Sequence, residues 1–282
     1  MNRLKRVYVE ITNRCNLRCS FCPGTRRPLR DMTAVEFALL AARLRPYADY
    51  FYLHVMGEPL LHPQLKEILS ICADLEAKVI ITTNGVLLPE QGDTLLSASA
   101  LYKLSVSLHS MEGNGAGDLT AYLSGVWDFV SQGTCQGIIC ALRLWNIGGA
   151  DARNGEILDY LAQKGGIHPL ACPQPRQGSW RLSQGFYLEQ AERFDWPDLA
   201  APASGAAFCR ALRDQAAVLA DGTVVPCCLD HEGDIPLGNL FNSSLPEILS
   251  TPRAQSLYNG FTRRCPTEDL CRRCGYATRF GQ

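Results

Sequence analysis

Between residue 5 and about residue 171, short apolar runs dense in β-branched and aromatic residues alternate with stretches whose apolar positions recur at helical spacing. Strands are predicted near residues 7–11, 50–55, 79–83, 104–108, 138–145 and 167–171. Helices are predicted over 33–44, 64–77, a short piece near Leu95, 119–131 and 156–163. Thr33 followed three residues later by Glu36 reads as a capping box, and Gly165-Gly166 as the stop of the fifth helix. Six strand-helix units of this kind imply a parallel sheet and an α/β fold. Alternation alone allows either a doubly wound sheet or an open partial barrel, and in both the chemistry sits on loops at the carboxyl ends of the strands.

The pattern changes after residue 171. Residues 172–208, rich in Pro, Gly, Ser and Ala, read as a connecting segment with one packed helix near 188–194. Residues 209–282 form a cysteine-rich module of α+β character. Within it, Asp221-Gly222 between β-forming residues predicts a hairpin. The domains are therefore expected at 1–171, 172–208 and 209–282.

With 282 residues, 46% of them apolar, the chain can bury a substantial core. A formal net charge of -1 supplies no global attraction to nucleic acid or to an anionic membrane, so a nucleic-acid substrate is disfavoured. No secretory signal and no apolar run of membrane-spanning length is present, which predicts a cytoplasmic location. Thirteen cysteines in such a chain point to metal or redox chemistry, because reducing compartments do not sustain structural disulfides.

The sharpest local feature is CNLRCSFC, which places Cys15, Cys19 and Cys22 on the loop after the first strand. Three soft thiolates can hold three irons of a [4Fe-4S] cluster and leave the fourth iron to another ligand. Structural zinc normally needs four protein ligands, and no second cysteine pair or histidine lies close by. The C-x3-C-x-aromatic-C spacing, with Phe21 before the last cysteine, resembles the signature of the radical S-adenosylmethionine (radical SAM) enzymes. That resemblance implies a (β/α)6 partial barrel. It also implies S-adenosylmethionine on the open iron, cleaved reductively to a 5'-deoxyadenosyl radical by an electron from flavodoxin or ferredoxin.

Met56-Gly57-Glu58-Pro59 after the second strand resembles the family's GGEP motif, which implies cofactor contacts by Gly57, Glu58 and Pro59. On its own, Gly-Glu-Pro is a turn with a surface acid. Asn84 and Ser107, at the ends of the third and fourth strands, match family positions near the cofactor. Arg143 in the fifth strand is a candidate for its carboxylate, and an arginine in an apolar strand needs a partner. His54 and His109 at strand ends, with Tyr52 and Trp145, are candidate substrate contacts, while His62, His168 and His231 read as packed or solvated.

Cys209, Cys227, Cys271 and Cys274, with the hairpin between the first two, resemble the twitch domain, the short form of the SPASM extension. This implies one auxiliary [4Fe-4S] cluster. A zinc ribbon is the alternative. Cys228 and Cys265 depart from the pattern, and either could displace an expected ligand. Cys72, Cys135 and Cys140 read as small hydrophobes, and Cys172 stands at the domain junction.

An early first strand favours a small-molecule substrate over a leader-guided peptide. The overall likeness is to the queuine lyases of queuosine salvage, which release 7-aminomethyl-7-deazaguanine. This reading asks for a carboxylate, an Asp or Glu, at the deazaguanine's amidine-like edge and for an aromatic face such as Trp145 or Tyr52 in the pocket. A polyol or aminocyclitol dehydrogenase, a peptide maturase and a non-catalytic metal scaffold are the alternatives.

Overall fold

The computed structural model describes residues 3–114, 117–149 and 151–280. The alternation is realised as β1 (Arg6–Val9), α1 (Ala34–Leu44), β2 (Tyr50–Tyr52), α2 (Leu65–Asp74), β3 (Lys78–Thr83), α3 (Leu88–Leu96), β4 (Leu101–Ser107), α4 (Leu119–Cys135), β5 (Ile139–Ile147) and α5 (Asn154–Gly165). Thr33 and Glu36 close the expected capping box on α1, and Gly166 ends α5 at φ 74°, in the left-handed region that glycine enters without strain.

The sixth parallel strand lies elsewhere than expected. Residues 167–171 hold a 3-10 turn, Pro169–Ala171, with Ile167 61% exposed. Pro169 has no N–H to give a ladder, which disqualifies a central strand there. The sixth strand is β7 (Phe186–Glu192), paired parallel to β5 and joined to the antiparallel edge strand β6 (Ser179–Ser183). The helix expected near 188–194 is this strand, so the supposed connecting segment 172–208 supplies part of the barrel. Phe186 and Leu188 pack outward while Glu189 faces inward, a period of two that a short apolar run does not distinguish from a helical face.

The tail continues the same sheet. β8 (Gln215–Val218) pairs parallel to β1, and β9 (Thr223–Val225) and β10 (Gly238–Asn239) extend it, giving the order β10-β9-β8-β1-β2-β3-β4-β5-β7-β6. The predicted Asp221-Gly222 turn joins β8 and β9, with Gly222 at φ 84°. Short helices α6 (Leu245–Leu249), α7 (Pro252–Thr262) and α8 (Asp269–Arg272) complete the tail. The fold is thus an open α/β partial barrel with a cysteine-rich C-terminal α+β extension.

Each barrel strand is split by its alternation. Phe51, Leu104, Val106, Leu142, Leu144 and Leu188 enter the apolar layer under the helices. Tyr52, Lys103, Ser107, Arg143, Trp145 and Glu189 face the hollow. The apolar layer holds the fold, which leaves the interior free to be polar.

One charge ties the top of the barrel together. Glu10, fully buried just beyond β1, accepts hydrogen bonds from Arg27 Nη1 and Nη2 at 2.8 and 2.6 Å, from Met56 N at 3.1 Å and from Ala220 N at 3.0 Å. Arg27 Nε also donates to the His231 carbonyl at 2.7 Å. The cysteine loop, the turn after β2 and the tail hairpin therefore meet at one carboxylate. Glu10→Ala strands Arg27 as a half-buried unpaired cation, and urea unfolding of the variant should show a loss of about 3–5 kcal/mol. A loss below about 1 kcal/mol would mean that water replaces the carboxylate there.

Candidate active site

The loop after β1 is closed at its base by Thr12 Oγ1 donating to Asp31 at 2.6 Å and by Asn13 Oδ1 accepting from Arg30 N at 2.7 Å. Buried Leu17 pins its middle. Cys15 and Cys22 are exposed and Cys19 is half-buried. Desolvation raises all three thiols, that of Cys19 to about 12, and the Cys15 and Cys22 thiols add repulsion at Cys19. Gly113 lies against this loop so closely that a Cβ there would come within 2.9 Å of Cys19 Sγ.

The turn after β2 docks on the loop's backbone. Glu58 N donates to the Arg14 carbonyl at 2.7 Å, and Gly57 sits at φ 77°, where a Cβ would lie 2.6 Å from the Thr12 carbonyl oxygen. Only glycine fits both the angle and the space. The Glu58 carboxylate is buried and saturated, accepting from Thr83 Oγ1 at 2.7 Å, Asn84 N at 2.7 Å and Leu60 N at 3.0 Å. Burial nevertheless pushes its carboxyl up to about 7. Asn84 is likewise engaged, its Nδ2 donating to Asn16 Oδ1 at 2.8 Å and its Oδ1 accepting from Val86 N at 3.0 Å.

The tail thiols form a second group. Cys227, at the end of the hairpin, is pushed up by burial and by the thiols of Cys228, Cys209, Cys271 and Cys274. Cys228 turns instead to the Tyr8 hydroxyl, with which it hydrogen-bonds, and packs with Tyr52 and Trp196. Cys265 is exposed beyond α7 and is not among the thiols that face Cys227.

A cavity of about 900 Å³ joins the two groups. Cys15, Cys19 and Cys22 border it from the loop, and Cys209, Cys227 and Cys274 from the tail, with Cys271 behind them. Of the other expected site residues, Phe21, Gly57, Glu58, Asn84, Ser107, Arg143, Tyr52, His54, His109 and Trp145 line it, and Pro59 is buried away from it. Phe21 packs on His109 at 4.8 Å between ring centroids, and Arg143 stacks on Trp145 at 4.6 Å. Burial first, and then Arg143, press the His54 imidazole down to about 3. Its shielded Nδ1 has no hydrogen-bond partner among the described residues. The partner foreseen for Arg143 is Glu189, 3.4 Å from Arg143 Nε, which also meets Lys103 at 3.3 Å and Arg176 at 2.8 Å.

Both cysteine groups suit iron-sulfur clusters. Each offers sulfur donors alone, and their raised thiols need the positive charge of bound iron to ionise. The loop brings three thiols, leaving one iron for an external ligand, and the tail brings four.

Lys103, Glu189, Arg6 and Tyr8 escaped the sequence reading, as did Glu10. A charged residue inside an otherwise apolar strand-like run, Lys103 in LYKLSVS and Glu189 in FYLEQAE, was the available signal.

Comparison with known proteins agrees with this layout. Residues 9–115 match the Radical SAM superfamily, and residues 209–275 match SPASM, an iron-sulfur cluster-binding domain. The GTP 3',8-cyclase of Chlorobaculum tepidum is 36% identical over 110 residues, 38% of this chain and 33% of that protein. That of Aquifex aeolicus is 35% identical over 119 residues, 38% of this chain and 36% of that protein. The chain thus spans about a third of the length of these curated relatives. Among solved structures, BtrN in complex with AdoMet and 2-DOIA superposes with a TM-score of 0.64 at 20% identity, covering 97% of this chain and 94% of BtrN. Native anSMEcpe with bound AdoMet gives a TM-score of 0.62 at 13% identity, covering 97% and 90%. At such identities the superpositions speak for the fold alone.

The carboxyl of Glu58 yields a pH test. Its folded value of about 7 lies above the ordinary 4.5, so the folded chain keeps a proton that the unfolded chain releases. The ligand-free protein should therefore lose stability as pH rises through this window, by up to about 3 kcal/mol from this group. Urea titrations at about pH 5 and about pH 7.5 should show Glu58→Gln removing that part of the slope. Equal slopes in the two proteins would mean that Glu58 is ionised throughout.

Proposed function

For a chain that carries a radical SAM domain followed by a SPASM domain, we propose a radical SAM enzyme that oxidises a small hydroxylated molecule by two electrons, a dehydrogenase. The observation that carries this reading is the single cavity bordered by both cysteine groups. When bound, the loop cluster and S-adenosylmethionine would supply a radical that takes a hydrogen atom from carbon, the tail cluster would accept the second electron, and the hydroxyl proton would leave through its hydrogen bond to His54 Nδ1.

The chain's own residues would hold and shield the substrate. Tyr52 and Trp145 offer aromatic faces, and His54 Nδ1, kept neutral by its burial, accepts a hydrogen bond from the hydroxyl on the reacting carbon. Gly57, Glu58 and Asn84 fix the turns around the cofactor, with Glu58 acting through Thr83 and Asn84. Phe21 and Ser107 complete its surroundings. Packing of Phe194, Trp196 and Tyr276 along the tail side limits the entry of water.

The queuine lyase reading is weakened on one specific point. It asks for a carboxylate at the deazaguanine edge, and among the described residues the two glutamates lining the cavity are already engaged by partners of their own. The GTP of the cyclase relatives is a reading for no more than the 38% of this chain that the Chlorobaculum tepidum match spans.

Reconstituted anaerobically, the protein should bind about eight irons and form 5'-deoxyadenosine with dithionite and S-adenosylmethionine, whereas Cys22→Ala should hold about four irons and form none. With the true substrate, mass spectrometry should find a product about two daltons lighter. Release of 7-aminomethyl-7-deazaguanine from queuine would overturn the dehydrogenase in favour of the lyase, and zinc in place of iron would sink both.

A further inference from the structure

We propose that the cavity seats its substrate by an anionic group, a carboxylate or a phosphate, held on the barrel floor by Lys103, Arg143 and Arg6. This rests on the cavity being the substrate site and adds the charge class of the molecule it takes. Among the described residues lining the cavity stand seven arginines and one lysine against two glutamates. Glu58 is saturated by three donors and lies beside the cysteine loop, away from the floor.

The floor itself is left positive. Glu189 is the one carboxylate among the cations there, and Lys103, Arg143 and Arg176 all lie within 3.4 Å of it. One negative charge meets three positive ones, and Arg6 adds a fourth at the foot of β1. The ion pairs order the cations without neutralising them. Burial pushes the Lys103 ammonium down, while Glu189 pulls it up and Arg143 and Arg176 press it further down.

Two guanidinium groups also have a donor to spare. Among the described residues, Nε of Arg6 and Nε of Arg143 have no hydrogen-bond partner and are shielded from solvent, the latter lying 3.4 Å from Glu189. A buried N–H without an acceptor is costly, and an anion in the cavity would supply one.

The clusters do not account for this excess. Arg210 stands beside Cys209, where the tail thiolates gather, and Arg279 is bonded to the Glu192 carbonyl and stacked on Tyr276. Lys103, Arg143 and Arg176 are instead grouped on β4, β5 and the approach to β6, around Glu189. An ammonium placed there would meet net repulsion. The inference thus favours a hydroxy acid or a phosphorylated alcohol over an amine-bearing cyclitol or queuine.

Calorimetric titration of the reconstituted enzyme saturated with S-adenosylmethionine tests this, with inorganic pyrophosphate and succinate as anionic probes and 1,4-diaminobutane as the cationic one. At least one anion should bind about tenfold more tightly than the diamine and weaken as salt is raised. A preference for pyrophosphate would assign a phosphate, and a preference for succinate a carboxylate. Lys103→Met and Arg6→Gln should each weaken the better anion about tenfold, while Lys103→Arg stays within about threefold of wild type. If Lys103→Met fails to fold, the comparison of Arg6→Gln with wild type decides. Neither anion binding better than the diamine, or unchanged affinity in the folded variants, would overturn the proposal. Failure to form 5'-deoxyadenosine alongside intact anion binding would instead count against the dehydrogenase reading alone.

Discussion

The carboxylate of Glu10 is the constraint on which the upper barrel depends. It is a full charge with no exposure, and it is tolerable only because four donors from three separate segments converge on it. Such a group adds little net stability compared with an apolar side chain of its size, but it discriminates strongly among arrangements. Any packing that misplaces Arg27, Met56 or Ala220 leaves a buried charge unanswered. The cysteine loop and the tail hairpin are thereby held in one relation, and the cavity between them inherits its dimensions from that relation.

The barrel shows how a sheet divides its labour. Outward side chains such as Phe51, Leu104 and Leu188 supply the apolar burial, so the inward ones are released from any duty to the fold. Lys103, Arg143 and Glu189 sit where a β-barrel of this size would otherwise be filled by aliphatic groups. That a lysine and two arginines share one glutamate in the interior is a cost to stability, of the kind that functional sites carry.

Much of this was legible in the sequence where the signal was local. CNLRCSFC, the Thr33–Glu36 cap, Asp221-Gly222 and the first five strands are each set by residues a few positions apart, and all of them take the expected form. The sixth strand was misplaced because 167–171 has the apolar content of a strand, whereas Pro169 denies it the ladder. FYLEQAE was misread because its period is short enough to satisfy both a strand and a helix. The partners of Glu10 and Glu189 were invisible for another reason. They lie up to 210 positions away, and no local pattern reports a contact made by topology.

The pairing of β8 with β1 has a consequence for how the chain is made. Val7 lies opposite Ala216, so β1 keeps that edge unpaired until roughly two hundred further residues have been made. During synthesis that edge is an open template for wrong partners, and its two flanking residues Arg6 and Glu10 are charges of the sort that discourage them. The same groups that later shape the cavity and its roof would thus act first as guards on a nascent strand.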